Sequence, residues 1–250
     1  MNLHLVNDRD AASVRVTALV SAAIRDTPSL VLGLPTGRTP IGLYAALAAA
    51  GLDWSGVRTF NLDEFATLAP SHPGSFRAFM DQHLFRHVNL AADAIGFLRG
   101  DTADDTAECA RYDTAIAAAG GIDLLLVGLG GNGHIGFNEP GKSLRAETHA
   151  VQLHASTRHA NADRFGGDWQ QVPDRALTIG MRQVLSARRV VLMATGASKA
   201  VAVAAMIEGP LTTQCPASWL QTHPDVTVVL DQVAASASAR ARRSGKEAGD

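Results

Sequence analysis

The run Ile122-Asp123-Leu124-Leu125-Leu126-Val127-Gly128-Leu129 constrains this chain more than any other feature. It is too short for a buried helix and too continuously apolar for a strand with one wet face. It therefore reads as a central parallel strand covered on both sides. A parallel strand needs crossover connections, and the rest of the chain supplies them. Leu3–Val6 reads as a first strand, followed by Asp8–Arg25, where Ala12, Val16, Leu19, Val20, Ala23 and Ile24 form a helical stripe. Strands are expected at Ser29–Leu34, Val57–Leu62, Arg189–Ala194 and Val226–Leu230, and helices at Thr39–Ala50, Ser75–His87, Thr102–Ala119 and Ser198–Ile207. That alternation predicts an α/β fold. It is a single doubly wound, Rossmann-like domain over residues 1–233, a mostly parallel sheet with helices on both faces. From Ala234 to Asp250 the chain is Ala, Ser, Arg, Gly and Lys with little to bury, and the expectation is a disordered tail.

Composition narrows the function. With 250 residues, 46% apolar, there is ample material for a core. A net charge of −2 with both signs interspersed excludes nucleic acid as the expected partner, so any anion must be held locally. Met1–Asp10 lacks the pattern of a signal peptide, and no stretch nears the roughly 18 apolar residues of a membrane helix. Cys109 and Cys215 form neither a metal spacing nor a disulfide framework, so they read as reduced thiols of a cytoplasmic protein.

Ligands of an open parallel sheet bind beyond the carboxyl ends of its strands, so the residues after each strand are the place to look. After the second strand comes Pro35-Thr36-Gly37-Arg38-Thr39-Pro40, with Thr39 as an expected helix cap. Free N–H groups at such a helix start make a phosphate cradle, although a capped turn without ligand explains the sequence equally well. The turn is neither a Walker loop nor a full GxGxxG, which disfavours nucleotides.

After the third strand stands Asp63-Glu64. Adjacent strand residues point to opposite faces, so one carboxylate faces the cleft and the other is structural, in either assignment. After the central strand comes Gly130-Gly131-Asn132-Gly133-His134-Ile135-Gly136-Phe137-Asn138-Glu139-Pro140. Its glycines permit a tight loop that presents His134 as an acid/base with Glu139 as the carboxylate that tunes it. His83 and His87 sit four apart but lack a third ligand, and His4, His154 and His223 show no ligand pattern. No metal site is expected.

With LGLPTGRTP, FNLDEF, HPGSF, GLGGNGHIGFNEP, ALTIG and the GASKA…EGP…LQTHP stretch in view, the chain resembles the glucosamine-6-phosphate deaminase family from about Leu30 to Asp231. That family shares its fold with the 6-phosphogluconolactonases. The lactonases lack FNEP and typically carry Arg where Phe65 stands. The resemblance implies a cofactor-free enzyme that turns glucosamine 6-phosphate and water into fructose 6-phosphate and ammonia, a hydrolytic deamination with isomerisation. It implies Asp63 as the base at C2 and C1, and His134 with Glu139 as the ring-opening pair. Asn132 stands where many members carry Asp, and an amide orients an imidazole without stabilising its charge.

Thr36, Gly37, Arg38 and Thr39 match the phosphate turn, and Arg164 and Lys199 match two cationic phosphate ligands. Leu153–Ala176, with Gly166-Gly167 and Trp169, matches a mobile lid. In allosteric, hexameric members, N-acetylglucosamine 6-phosphate binds basic residues at positions held here by His149 and Val151. No activation by it is expected, and the chain should be a monomer or small homo-oligomer. The alternatives are a lactonase-type hydrolase, a deaminase or isomerase of another phosphorylated sugar such as galactosamine 6-phosphate, and a non-catalytic sugar-phosphate sensor. The last has no use for Asp63, His134 and Glu139 together.

Overall fold

The computed structural model describes residues 1–247, with side chains up to residue 243. Its strands are β1 (Asn2–Val6), β2 (Val31–Leu34), β3 (Arg58–Asn61), β4 (Asp63–Phe65), β5 (Ile95–Gly96), β6 (Leu124–Gly128), β7 (His149–Gln152), β8 (Arg175–Thr178), β9 (Arg189–Ala194) and β10 (Val226–Asp231). Its helices are α1 (Arg9–Asp26), α2 (Ile41–Ala49), α3 (Phe76–His83), α4 (Asp105–Ala118), α5 (Ala155–Ala160), α6 (Met181–Ser186), α7 (Ala200–Glu208) and α8 (Ala239–Glu247).

A seven-stranded sheet runs β1-β10-β9-β6-β2-β3-β5 with every pairing parallel. β6 lies in the middle, and its side chains leave alternately on the two faces. Leu125 and Val127 join one core with Tyr112, Val184, Val203 and Met206 of α4, α6 and α7. Leu124 and Leu126 join the other with Val16 and Val20 of α1, Tyr44 of α2 and Met80 of α3. This is why the β6 run is apolar throughout.

Helix starts follow their caps. Asp8 accepts from Ala11 N at 2.8 Å, and Asp104 accepts from Thr106 N and Ala107 N at 3.0 Å, so α4 begins later than its periodicity predicts. At α2 the expected Thr39 cap is corrected. Pro40 is the cap residue, without a side-chain bond, and its φ of −81° already suits a helix entry.

From β3 and β5 the chain crosses back to place β6 against the opposite edge of β2. The order reverses between β2 and β6, and the loops after these two strands flank the crevice.

A second, antiparallel sheet, β4-β8-β7, stands outside the expected strand pattern. Asp63 pairs with Thr178 and Phe65 with Ala176. Behind this sheet Phe65, Phe76, Phe137 and Phe165 form a third apolar cluster.

The expected disordered tail also needs correction. Ala234, Ala235 and Ser238 are fully buried, Ala241 is 2% exposed, and α8 packs on β1. Small side chains hide there because they let the backbone come close to the sheet, not because they carry much apolar surface. Glu208 fastens the turn, accepting from Ser238 Oγ at 2.7 Å and Arg240 N at 2.6 Å. The part of that expectation covering 248–250 lies outside the described residues. Among the described residues, no helix is long and apolar enough to cross a membrane.

Candidate active site

A cavity of about 480 Å3 opens at the strand-order reversal, walled by the loops after β2, β6 and β9 together with β4 and α5. Thr36, Gly37, Arg38 and Thr39 form one end, with Lys199 on the turn after β9. Tyr44 of α2, fully buried, donates its hydroxyl to the Pro35 carbonyl and pins the turn from below. Gly37 takes a φ of +111°, which a side chain resists, and so the backbone folds tightly before α2. The Arg38 guanidinium stands out in solvent, 3.5 Å from the Asp163 carboxylate. Burial lowers the pKa of the Lys199 ammonium, and Arg38 adds repulsion. Two mutually repelling cations at a helix start favour an anion between them.

Asp63 and Glu64 divide as alternating strand residues must. Asp63 lines the cavity and is 7% exposed. Glu64 points the other way and accepts backbone N–H groups from Phe65 (2.8 Å), Phe76 (2.9 Å) and Arg77 (3.0 Å), the latter two opening α3. Glu64 is therefore structural, joining β4 to the start of α3.

Burial, with repulsion from Glu64, raises the Asp63 pKa to about 7 against an opposing pull from Arg164. Burial pushes Glu64 up as well, to about 7, while those three amides and Arg164 pull it back down. A carboxyl surrounded by donors keeps its charge, so a proton on this pair sits on Asp63.

His134 lines the cavity beside Asp63, and its Nδ1 lies 3.2 Å from Glu139 Oε2. Glu139 also accepts from Asn132 Nδ2 at 2.8 Å and from the Thr157 hydroxyl. Burial alone would raise the Glu139 pKa, but the hydrogen bond and charge of His134, with the Thr157 and Asn132 bonds, take it down to about 2. The expectation that Asn132 orients the imidazole is corrected. Its Oδ1 accepts from the His134 backbone N at 3.2 Å and its amide holds Glu139, so it shapes the loop and not the ring. Asn138 is also structural, donating to the Ile135 and Ile179 carbonyls at 3.0 and 2.8 Å.

Arg164 departs from its expected place. It is not on the cavity wall; its guanidinium lies 4.4 Å from the Phe79 ring centre and 5.0 Å from that of Phe76. The two ring faces, and the attraction of Asp63 and Glu64, hold it there.

Three wall residues escaped the sequence reading: Arg9 at the start of α1, Thr157 on α5 and Thr195 after β9. The strand-end rule, applied to β1 and β9, reaches Arg9 and Thr195. Thr157 lies in the segment Leu153–Ala176 that the resemblance marks as a lid, but nothing in the sequence singles out that residue within it. Two of the other histidines have structural partners: His223 Nε2 meets the Ala187 carbonyl at 2.7 Å, and His87 Nε2 that of Gln82 at 2.9 Å. Among the described residues, no group of three or more His, Cys, Asp or Glu is placed to hold a metal ion.

A buried carboxyl with a raised pKa and a carboxylate-backed imidazole facing a cationic pocket define an acid–base enzyme for a small anionic substrate. Residues 9–229 match the model of the glucosamine-6-phosphate isomerases/6-phosphogluconolactonase family, and the chain belongs to that family. Among its relatives is a glucosamine-6-phosphate deaminase 2 of Bacillus subtilis, 47% identical over 223 residues, covering 87% of this chain and 90% of the relative. A glucosamine-6-phosphate deaminase of Geobacillus sp. strain WCH70 is 45% identical over 228 residues, covering 90% of each. The solved structure of a monomeric glucosamine-6-phosphate deaminase superposes with a TM-score of 0.91 at 38% identity, covering 95% of this chain and 100% of that one.

Proposed function

We propose that this chain converts glucosamine 6-phosphate and water into fructose 6-phosphate and ammonia. The observation that carries the reading is one cavity lined by both Asp63 and His134, with Arg38 and Lys199 at its other end. The phosphate settles on the Thr36–Thr39 turn with Lys199 and Arg9 beside it. Binding energy gained there orients carbons several bonds away. His134, backed by Glu139, hands a proton to the ring oxygen as the sugar opens. Asp63 removes the proton from C2 and returns it to C1, while a proton passes from the C2 amine to the C1 oxygen, which leaves a C1 alcohol and a C2 imine. Water hydrolyses that imine to the ketone, and ammonia leaves. An aspartate near pKa 7 suits this shuttle, because it is ionised often enough to accept a proton and acidic enough to release it.

Hydrolysis of a lactone requires no proton transfer between carbons. An enzyme assay therefore separates the readings: ammonia release from glucosamine 6-phosphate, run beside galactosamine 6-phosphate and a lactonase assay. We expect ammonia from the first substrate. A lactonase rate without ammonia from either sugar would overturn the proposal.

A further inference from the structure

We propose that Thr157 is a positioning residue for the acid–base pair, coupling the docking of α5 over the cavity to the protonation of His134 and Glu139. The proposal rests on the deaminase reading of the site. Its basis is how the Glu139 carboxylate is shared. Oε2 takes Asn132 Nδ2 at 2.8 Å and faces His134 Nδ1 at 3.2 Å, and both residues belong to its own loop. Oε1 takes the Thr157 hydroxyl, the bond to this carboxylate that comes from another element.

Thr157 is 5% exposed and sits on the cavity wall, with Ala160 and Asn161 of the same segment. A ligand filling the cavity thus touches α5, and α5 touches Glu139. A hydroxyl donating to a carboxylate spreads its charge and weakens its pull on a neighbouring proton. With α5 docked, part of the Glu139 charge is taken up by the Thr157 hydroxyl and less of it falls on the His134 ring. With α5 displaced, the pair holds the proton.

Other charges face this pair. Asp63 on β4, Arg9 on α1, Arg38 after β2 and Lys199 after β9 line the same cavity. On α5, Arg158 donates to the Val172 and Gln170 carbonyls, both at 3.0 Å, and His159 stacks on Trp169. His154 stands at the start of the helix. Replacing Thr157 changes none of these groups, so it isolates the hydroxyl.

The test follows the His134 ring by NMR across pH in the ligand-free full chain, alongside the pH dependence of kcat/KM for ammonia release. In Thr157→Val the His134 midpoint should rise by roughly 0.5 to 1 pH unit, and the acid-side limb of the rate profile should move the same way. Thr157→Ser, which keeps the hydroxyl, should return both. Thr157→Ala repeats the test if valine lowers the melting temperature. An unmoved midpoint in valine and alanine, or a serine variant shifted as far as valine, would overturn the coupling. Failure of the deaminase reading looks different: the parent releases no ammonia, while the NMR titration still decides whether Thr157 acts on the pair.

Discussion

Asp63 reaches the cavity with no side-chain hydrogen bond to its carboxylate among the described residues, while its neighbour Glu64 has three donors. That asymmetry makes one acid a candidate base and the other a brace, and it has a measurable cost. A buried aspartate with its pKa raised to about 7 binds a proton more tightly in the folded state than in the unfolded state. Its contribution to stability is therefore fully present below the ordinary aspartate value and is lost as pH rises through about 7. The move is worth up to about 4 kcal/mol. Asp63→Asn removes the penalty. We expect thermal melting to show the variant more stable than the parent at pH 8 and equal to it near pH 4. The same variant should lose ammonia release by about a thousand-fold while still binding inorganic phosphate. Equal melting curves at pH 8, or retained turnover, would remove Asp63 from the role assigned to it.

At the scale of elements, the loop after β6 decides whether an imidazole can stand over the crevice at all. Gly130 N donates to the His134 carbonyl at 2.9 Å, closing a turn so tight that a Cβ at residue 130 would fall onto the His134 ring. Gly130→Ala must tilt that ring away from Glu139. The expected result is a fall of about a hundred-fold in kcat with little change in KM for the sugar phosphate. A KM effect alone would place the glycine elsewhere in the mechanism.

This loop was legible in the sequence because a long apolar strand announces where it begins and glycines announce how it turns. The same two signals exposed the Thr36–Thr39 turn, and residue alternation separates Asp63 from Glu64 without saying which of them faces the cleft. Legibility ended where structure depends on distant partners. β4 has three residues and β7 alternates half-buried with exposed positions, so the second sheet exists only through pairing to β8. Arg164 was placed by motif, yet two aromatic rings from α3 capture its guanidinium. The Ala-rich end looked uncommitted because close backbone packing leaves no hydrophobic pattern.

For the whole molecule, what matters is that one chain closes the cavity. The wall runs from α1 through β4 and α5 to the turn after β9, all within one chain. The two positions that the resemblance matches to the effector-binding basic residues of allosteric members are His149 and Val151 of β7. His149 Nδ1 lies 2.8 Å from the Glu147 carbonyl, and burial, with Arg145 adding to it, lowers the pKa of the ring. Both effects disfavour a charged imidazole, and valine has no charge to offer. The cavity beside His149 sets Arg145 among Asp105, Asp113 and Glu147, a lining that repels a phosphate more than it attracts one. We expect hyperbolic kinetics that N-acetylglucosamine 6-phosphate leaves unchanged, and a sedimenting species well short of a hexamer. Sigmoidal rates that straighten on adding this compound would show that the phosphate finds its positive charge at other residues, and β7 would then have no part in the control of the enzyme.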